Sequence, residues 1–149
     1  MSKPFKLTAP RALEHQEQAA LFRYAAIQAR NDPRWGLLNA SQNGLAASSI
    51  QQAARAKACG MRKGFPDVFL PIASGSWHGL FIEMKRKNGV PSDVSPEQQQ
   101  WLEALEEQDY RAVVCFGWEQ AVAWIDSYLS HKKPAEAGSC VSTPLSRQG

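Results

Sequence analysis

Gly64-Phe65-Pro66-Asp67-Val68-Phe69-Leu70-Pro71-Ile72 and Gly79-Leu80-Phe81-Ile82-Glu83-Met84-Lys85 are two short runs rich in β-branched and aromatic residues, separated by Ala73-Ser74-Gly75-Ser76-Trp77-His78. Runs of this kind joined by a turn predict a β-hairpin. Strand side chains alternate between faces, so Phe81, Glu83 and Lys85 point one way and Leu80, Ile82 and Met84 the other. A carboxylate and an ammonium therefore share one face of an otherwise apolar strand. With Ile72 opposite Gly79, Asp67 falls opposite Met84, within one residue of both Glu83 and Lys85. A slip of one or two residues in register does not carry it far. The reading brings three ionisable groups together where the strands leave the core.

Outward from the hairpin, periodicity supplies the other elements. Leu13, Ala20, Leu21, Tyr24 and Ile27 recur at helical spacing and predict a helix from about Pro10 to Arg30, stopped by Asn31-Asp32-Pro33. Trp35 to Ala40 reads as a short strand, followed by the polar loop Ser41-Gln42-Asn43-Gly44. A second helix is predicted from Ser48 or Ser49, either of which can cap it, to Gly60. Downstream, Ser95 caps a helix opened by Pro96, with Gln98, Trp101, Leu102 and Leu105 at i, i+3, i+4 and i+7, running to about Gln108. Ala112 to Phe116 is a compact apolar strand. From Trp118 a last helix is marked by Ala121, Val122, Ile125, Tyr128 and Leu129. An antiparallel pair followed by a βα unit predicts an α/β fold, with a central mixed sheet flanked by helices on both faces. Residues 1–9 read as a leader, 10–130 as the folded domain, and 131–149 as a disordered tail with almost no aliphatic anchors.

The whole chain has 149 residues, of which 44% are hydrophobic, enough to bury the core of one domain. Its longest charge-free apolar stretch, Val68 to Ile82, is broken by Pro71, Gly75 and Gly79 and is shorter than the ~20 residues that span a bilayer. No apolar h-region opens the chain, so a cytoplasmic location and no membrane partner are expected. Cys59, Cys115 and Cys140 are far apart and odd in number, which suits reduced thiols and argues against structural zinc. A metal here would sit on oxygens. No Walker-type glycine loop is present, so no nucleotide cofactor is expected.

Two carboxylates a few ångströms apart repel each other, and a divalent cation relieves that repulsion at neutral pH. Mg²⁺ suits the purpose, because it accepts one or two carboxylates plus water and leaves room for phosphate oxygens. An adjacent lysine can then orient the attacking water or hold the scissile phosphate. The plainer alternative is that Asp67 is a turn residue and Glu83-Met84-Lys85 a solvated surface pair worth under ~1 kcal/mol. The apolar strand around the pair, and Gly64-Phe65-Pro66 ahead of the aspartate, favour a phosphodiesterase site.

These residues resemble a known signature. Gly64-Phe65-Pro66-Asp67 followed by Phe81-Ile82-Glu83-Met84-Lys85 looks like the PD-(D/E)xK nuclease motif in the form found in the VRR-NUC (virus-type replication-repair nuclease) family. Gly60-Met61-Arg62-Lys63-Gly64, Ser95-Pro96-Glu97-Gln98 with Trp101, and Glu14-His15-Gln16-Glu17-Gln18 match as well. The resemblance covers roughly residues 10–129 and implies a restriction-endonuclease-like core. It implies that Asp67 and Glu83 bind the metal, that Lys85 is the catalytic lysine, and that Gln98 lies at the rim of the site. The first-helix glutamate of the family best matches Glu14, through its spacing to Gln18, with Glu17 as the rival. The segment from Lys87 to Val94 is longer than the pattern leads one to expect. Small standalone members of the family look like phage or prophage nucleases.

Basic residues flank the carboxylates, with Arg55, Lys57, Arg62 and Lys63 before Asp67 and Arg86 and Lys87 directly after Lys85. Such clusters neutralise phosphates, although a charge run is more often a solvated face. The net charge of +3 decides nothing alone. The acids Glu97, Glu103, Glu106, Glu107 and Asp109 gather on one helix and leave the site side more basic. Asn39, Gln42 and Asn43 are candidate phosphate or sugar contacts, or simply a polar loop. His15 reads as an exposed helix residue and His78 as a turn residue. Trp101, Trp118 and Trp124 read as core, whereas Trp35 and Trp77 lie near loops where they could stack on bases.

The expected activity is a Mg²⁺- or Mn²⁺-dependent DNA endonuclease that leaves 5′-phosphate ends, as the resemblance implies. Its expected substrate is branched DNA, such as a four-way (Holliday) junction, in phage replication, recombination or DNA repair. Two strands cut together require two sites, hence a homodimer. The rivals are a non-catalytic DNA-binding module of the same fold and a sequence-specific restriction-type nuclease.

Overall fold

The computed structural model describes residues 10–42 and 49–131. Along the chain run α1 (Pro10–Gln28), β1 (Asn39–Ala40), α2 (Ile50–Ala58), β2 (Val68–Leu70), β3 (Leu80–Lys85), α3 (Pro96–Glu107), β4 (Arg111–Phe116) and α4 (Trp118–Ser130). The strands form one sheet in the order β1-β2-β3-β4. The first two pairings are antiparallel and β3–β4 is parallel, so the sheet is mixed, as the sequence predicts. The expected leader 1–9, Asn43 to Ser48, and the tail beyond His131 lie outside the described residues. Among the described residues no helix is long and apolar enough to cross a membrane.

Leu80, Ile82 and Met84 of β3 face a core shared with Leu21 and Ala25 of α1 and Ala121 and Ile125 of α4. The opposite face carries Phe81, stacked on Phe69 at 4.3 Å and edge-on to Phe65 and Tyr110. α3, with its buried Leu102, crosses on this side between β3 and β4. Every residue of β3 is buried, including its glutamate and lysine.

Two local expectations are corrected. Trp35 to Ala40 is not one strand: Pro33–Leu37 is a 3-10 turn, and only Asn39–Ala40 joins the sheet. Asp32 caps that turn by accepting the Arg34 N–H at 3.1 Å, and Pro33 pre-sets its first residue. Trp35 is buried against Tyr24 and so is withdrawn from base stacking.

The hairpin register is also one residue away from the expected one. Val68 pairs with Ile82 and Leu70 with Leu80, whereas the tip pairs Ser74 with Trp77, the frame that would put Ile72 opposite Gly79. One residue of the first strand is looped out between the two. Pro71 has no N–H for the ladder, and Ile72 N–H turns back to the Leu70 carbonyl at 2.9 Å. Residues opposite one another share a face, so continuing the observed pairing places Asp67 across from Glu83 instead of Met84.

Gly64 fixes how the Asp67 loop meets α3. Its φ is +85°, and a Cβ would lie 2.6 Å from the Glu97 carbonyl carbon and 2.8 Å from Gln98 N. Backbone cannot yield as a flexible side chain can. Gly64→Ala is expected to lower stability by ~2–4 kcal/mol through left-handed strain plus overpacking, measured by chemical denaturation. A loss below ~1 kcal/mol would show that this close approach does not hold the loop on the helix.

Candidate active site

The site lies at the end of β3. Glu83 and Lys85 are 2% and 4% exposed, a depth at which charged side chains are found only when paired. Lys85 Nζ stands 3.4 Å from Glu83 Oε1 and 3.8 Å from Glu14 Oε1, and donates to Gln98 Oε1 at 3.1 Å. Asp67 arrives from the other strand and accepts the Met84 N–H on Oδ2 at 2.8 Å.

Gln98, half-buried beside the pair, bridges Glu83 and Lys85. As the third residue of α3 it completes a capping box with Ser95, whose N–H it accepts at 2.9 Å while Ser95 Oγ accepts the Gln98 N–H. The same Oε1 accepts from Lys85, and Nε2 donates to Glu83 Oε1. Two donors at one end of the amide and a carboxylate at the other fix its orientation.

The remaining oxygen, Glu83 Oε2, is buried with no hydrogen-bond partner. The Asp67 carboxyl is near enough to Glu83 to raise it, and when ionised it has no proton to offer. Burial, and then the Asp67 charge, push Glu83 up to about 8, with Lys85 opposing. Burial also raises Asp67, against the Met84 amide and the Lys85 charge. A buried acidic oxygen facing a second carboxyl is the environment a divalent cation would satisfy, so the donor set fits Mg²⁺ or Mn²⁺. Among the described residues no three His, Cys, Asp or Glu side chains converge tightly enough to enclose an ion. Two carboxylates with water completing the shell match the way Mg²⁺ is usually held.

The two first-helix glutamates are separated by the structure. Glu14 faces Lys85, while Glu17 Oε2 accepts the Trp118 N–H at 2.8 Å. α4 begins after Gly117, which has no capping side chain, so Glu17 supplies the missing acceptor. That role depends on a residue about a hundred positions away and leaves no local trace in the sequence.

Several expected phosphate contacts carry acidic partners. Lys63 pairs with Glu97 at 2.9 Å, Lys87 with Glu119 at 3.2 Å, and Arg86 with Asp93 at 3.8 Å. The Glu97 end of the acidic helix therefore abuts the site instead of lying apart from it. Exposed pairs of this sort are worth little and exchange readily for phosphate. The long Lys87–Val94 segment contains a 3-10 turn, Pro91–Asp93, closed by the Val90 N–H on Asp93 Oδ2. Arg55 and Lys57 are exposed on α2, a helix with no buried residue.

Among the aromatics, Trp118 and Trp124 pack on the core. Trp101, read as core, instead lies half-buried beyond it, edge-on to Phe65 at 5.0 Å and donating Nε1–H to the Lys63 carbonyl. Trp77 is occupied by Tyr128, His131 and Arg111, and His78 packs on Tyr110. His15 is exposed on α1, as its sequence reading has it, while Ser41, read only as part of a polar loop, holds the carbonyls of Pro66 and Asp67.

A mixed sheet whose central strand carries a buried glutamate and lysine beside an aspartate from its neighbour has the architecture of a nuclease-type domain. The VRR-NUC domain model matches residues 13–118, and the chain belongs to that family. The solved structure of a VRR_NUC domain protein superposes with a TM-score of 0.67 at 26% identity, over 81% of this chain and 91% of the other. No curated protein matches the chain.

Proposed function

We propose that the protein is a Mg²⁺- or Mn²⁺-dependent DNA endonuclease. The observation that carries this reading is the partnerless Glu83 Oε2, buried beside Asp67 with the Lys85 ammonium close at hand. Asp67 and Glu83 would hold the ion, and Glu14 would serve it through water while also facing Lys85. Such an ion, when bound, lowers the pKa of an attacking water and offsets charge developing on the phosphate. Lys85 is held by Glu83, Glu14 and Gln98, so its ammonium is fixed in place to orient the water or grip a phosphate oxygen. Gln98 keeps Glu83 and Lys85 in register with α3.

The substrate we propose is branched or structured DNA met in phage replication, recombination or repair, cut to leave 5′-phosphates. A homodimer would present two sites to two strands. The test is incubation of purified protein with labelled four-way junction, flap and linear duplex, in Mn²⁺ or in EDTA, beside a Lys85→Met variant. Metal-dependent cutting by the native protein alone supports the reading. Tight binding with no cutting under any of these conditions would replace it with a DNA-binding module.

Residues 49–63 contain four cations and no acid, and α2 within them is exposed, which suits a polyanion. Arg55→Ser with Lys57→Ser is expected to weaken binding uniformly across sequences and to reduce the slope of log K against log salt by about 1–2. An unchanged slope in an anisotropy titration would remove α2 from the interface.

A further inference from the structure

Ser41 is fastened twice to the loop that carries the aspartate. Its N–H donates to the Asp67 carbonyl and its hydroxyl to the Pro66 carbonyl, each at 2.7 Å. Ser41 and Gln42 therefore form a ridge tied to the site, and a cleft opens on either side of it. The cleft toward α1, about 310 Å³, is lined by His15, Gln18, Ala19 and Phe22. The other, about 410 Å³, is lined by Met61, Arg62, Phe65 and Trp101, and Ser41 and Gln42 border both. Both reach the loop that carries the aspartate: Ser41, which lines each of them, is hydrogen-bonded to the Pro66 and Asp67 carbonyls, and Phe65 of the second cleft lies two residues before Asp67 in the chain.

We propose that the strand cut here is bound unpaired, with the bases on either side of the scissile phosphate seated in these two clefts. This rests on the nuclease reading and narrows its substrate to branched DNA with a single-stranded segment, in preference to a fully paired junction. Each cleft joins apolar surface (Phe22 and Ala19 on one side, Met61, Phe65 and Trp101 on the other) to amide, imidazole or guanidinium groups. That combination fits a nucleobase, which has a flat apolar face and a hydrogen-bonding edge. Bases inside a duplex are stacked and paired, so they cannot enter. Phosphates need cations and gain nothing from phenylalanine or methionine; Arg55, Lys57 and Lys63 supply that charge outside the clefts.

The test uses the full chain in EDTA, titrated against a labelled single-stranded 15-mer, the matching blunt duplex and a four-way junction, followed by cleavage mapping of a flap in Mn²⁺. The single strand is expected to bind at least ~10-fold more tightly than the duplex, and cuts should fall in the unpaired segment. Ala19→Trp, at an exposed position of α1, fills one cleft. It should weaken single-strand binding ~10-fold, the loss of about one stacked base, with duplex binding and thermal melting unchanged. Equal binding of duplex and single strand, or an Ala19→Trp protein that binds single strands like the native one, overturns the inference and leaves the nuclease reading standing if duplex is cut. Failure to bind or cut any of these DNAs overturns both.

Discussion

Glu83→Gln is expected to cut phosphodiester hydrolysis by ~10²–10³-fold or more while making the metal-free protein more stable at alkaline pH. The two effects have one cause. Glutamine has the shape of the protonated acid that the native chain favours at neutral pH, since Glu83 titrates at about 8. Its amide can donate to Asp67, giving the partnerless position a hydrogen bond, while its carbonyl still accepts from Gln98. What it cannot provide is the second negative charge that a divalent ion requires. Near pH 4, where folded and unfolded native chains both keep the proton, the variant and native proteins should melt together in EDTA; the variant should pull ahead as pH rises, by on the order of 2 kcal/mol at pH 6 and by more above pH 8, given ~1.4 kcal/mol per unit of pKa difference. Oligonucleotide cleavage and thermal melting check both halves. A variant that cuts at the native rate would take Glu83 out of the chemistry.

The second large effect is a stability that falls with pH and returns with metal. Burial and the Asp67 charge raise Glu83, and burial raises Asp67. Between the ordinary carboxyl range and about 8, the folded protein keeps a proton that the unfolded chain has released. Stability from this source is complete below the ordinary range, declines as pH rises, and is gone above about 8. Without metal, Tm should drop by ~5–10 °C between pH 5 and pH 8.5. In the proposed reading saturating Mn²⁺ would take the place of the proton, so its stabilising effect should be larger at pH 8.5 than at pH 6, and binding should release protons. Tm measured across that range with EDTA or Mn²⁺ checks it. An ion effect that is constant with pH would place the ion away from these carboxylates.

What was legible in the sequence is what local pattern controls. The alternation in Leu80-Phe81-Ile82-Glu83-Met84-Lys85 showed which side chains share a face, and Ser95-Pro96 with Gln98 marked the start of α3 through capping chemistry alone. The hairpin was legible, but its frame was not. Pro71 shifts one strand by a residue, and only the paired ladder reveals that this puts Asp67 on the face of Glu83. Long-range contacts were equally hidden. Nothing near Glu17 signals the Trp118 amide that it caps, nothing near Ser41 signals the carbonyls it holds, and Trp35 looked loop-bound because its partner Tyr24 comes from α1. Gln98 fell between these cases: its capping role was written locally, and its hold on Glu83 and Lys85 required the sheet to be in place.

The most direct test of the central claim is the position of a bound ion. Crystals grown at pH 8.5 with Mn²⁺, and recorded for anomalous scattering, should show one strong peak within ~2.0–2.3 Å of an Asp67 oxygen and of Glu83 Oε2, with the Lys85 ammonium beside it. A saturating Mn²⁺ soak that leaves those two oxygens without metal, or that places the ion on other residues, would contradict the account.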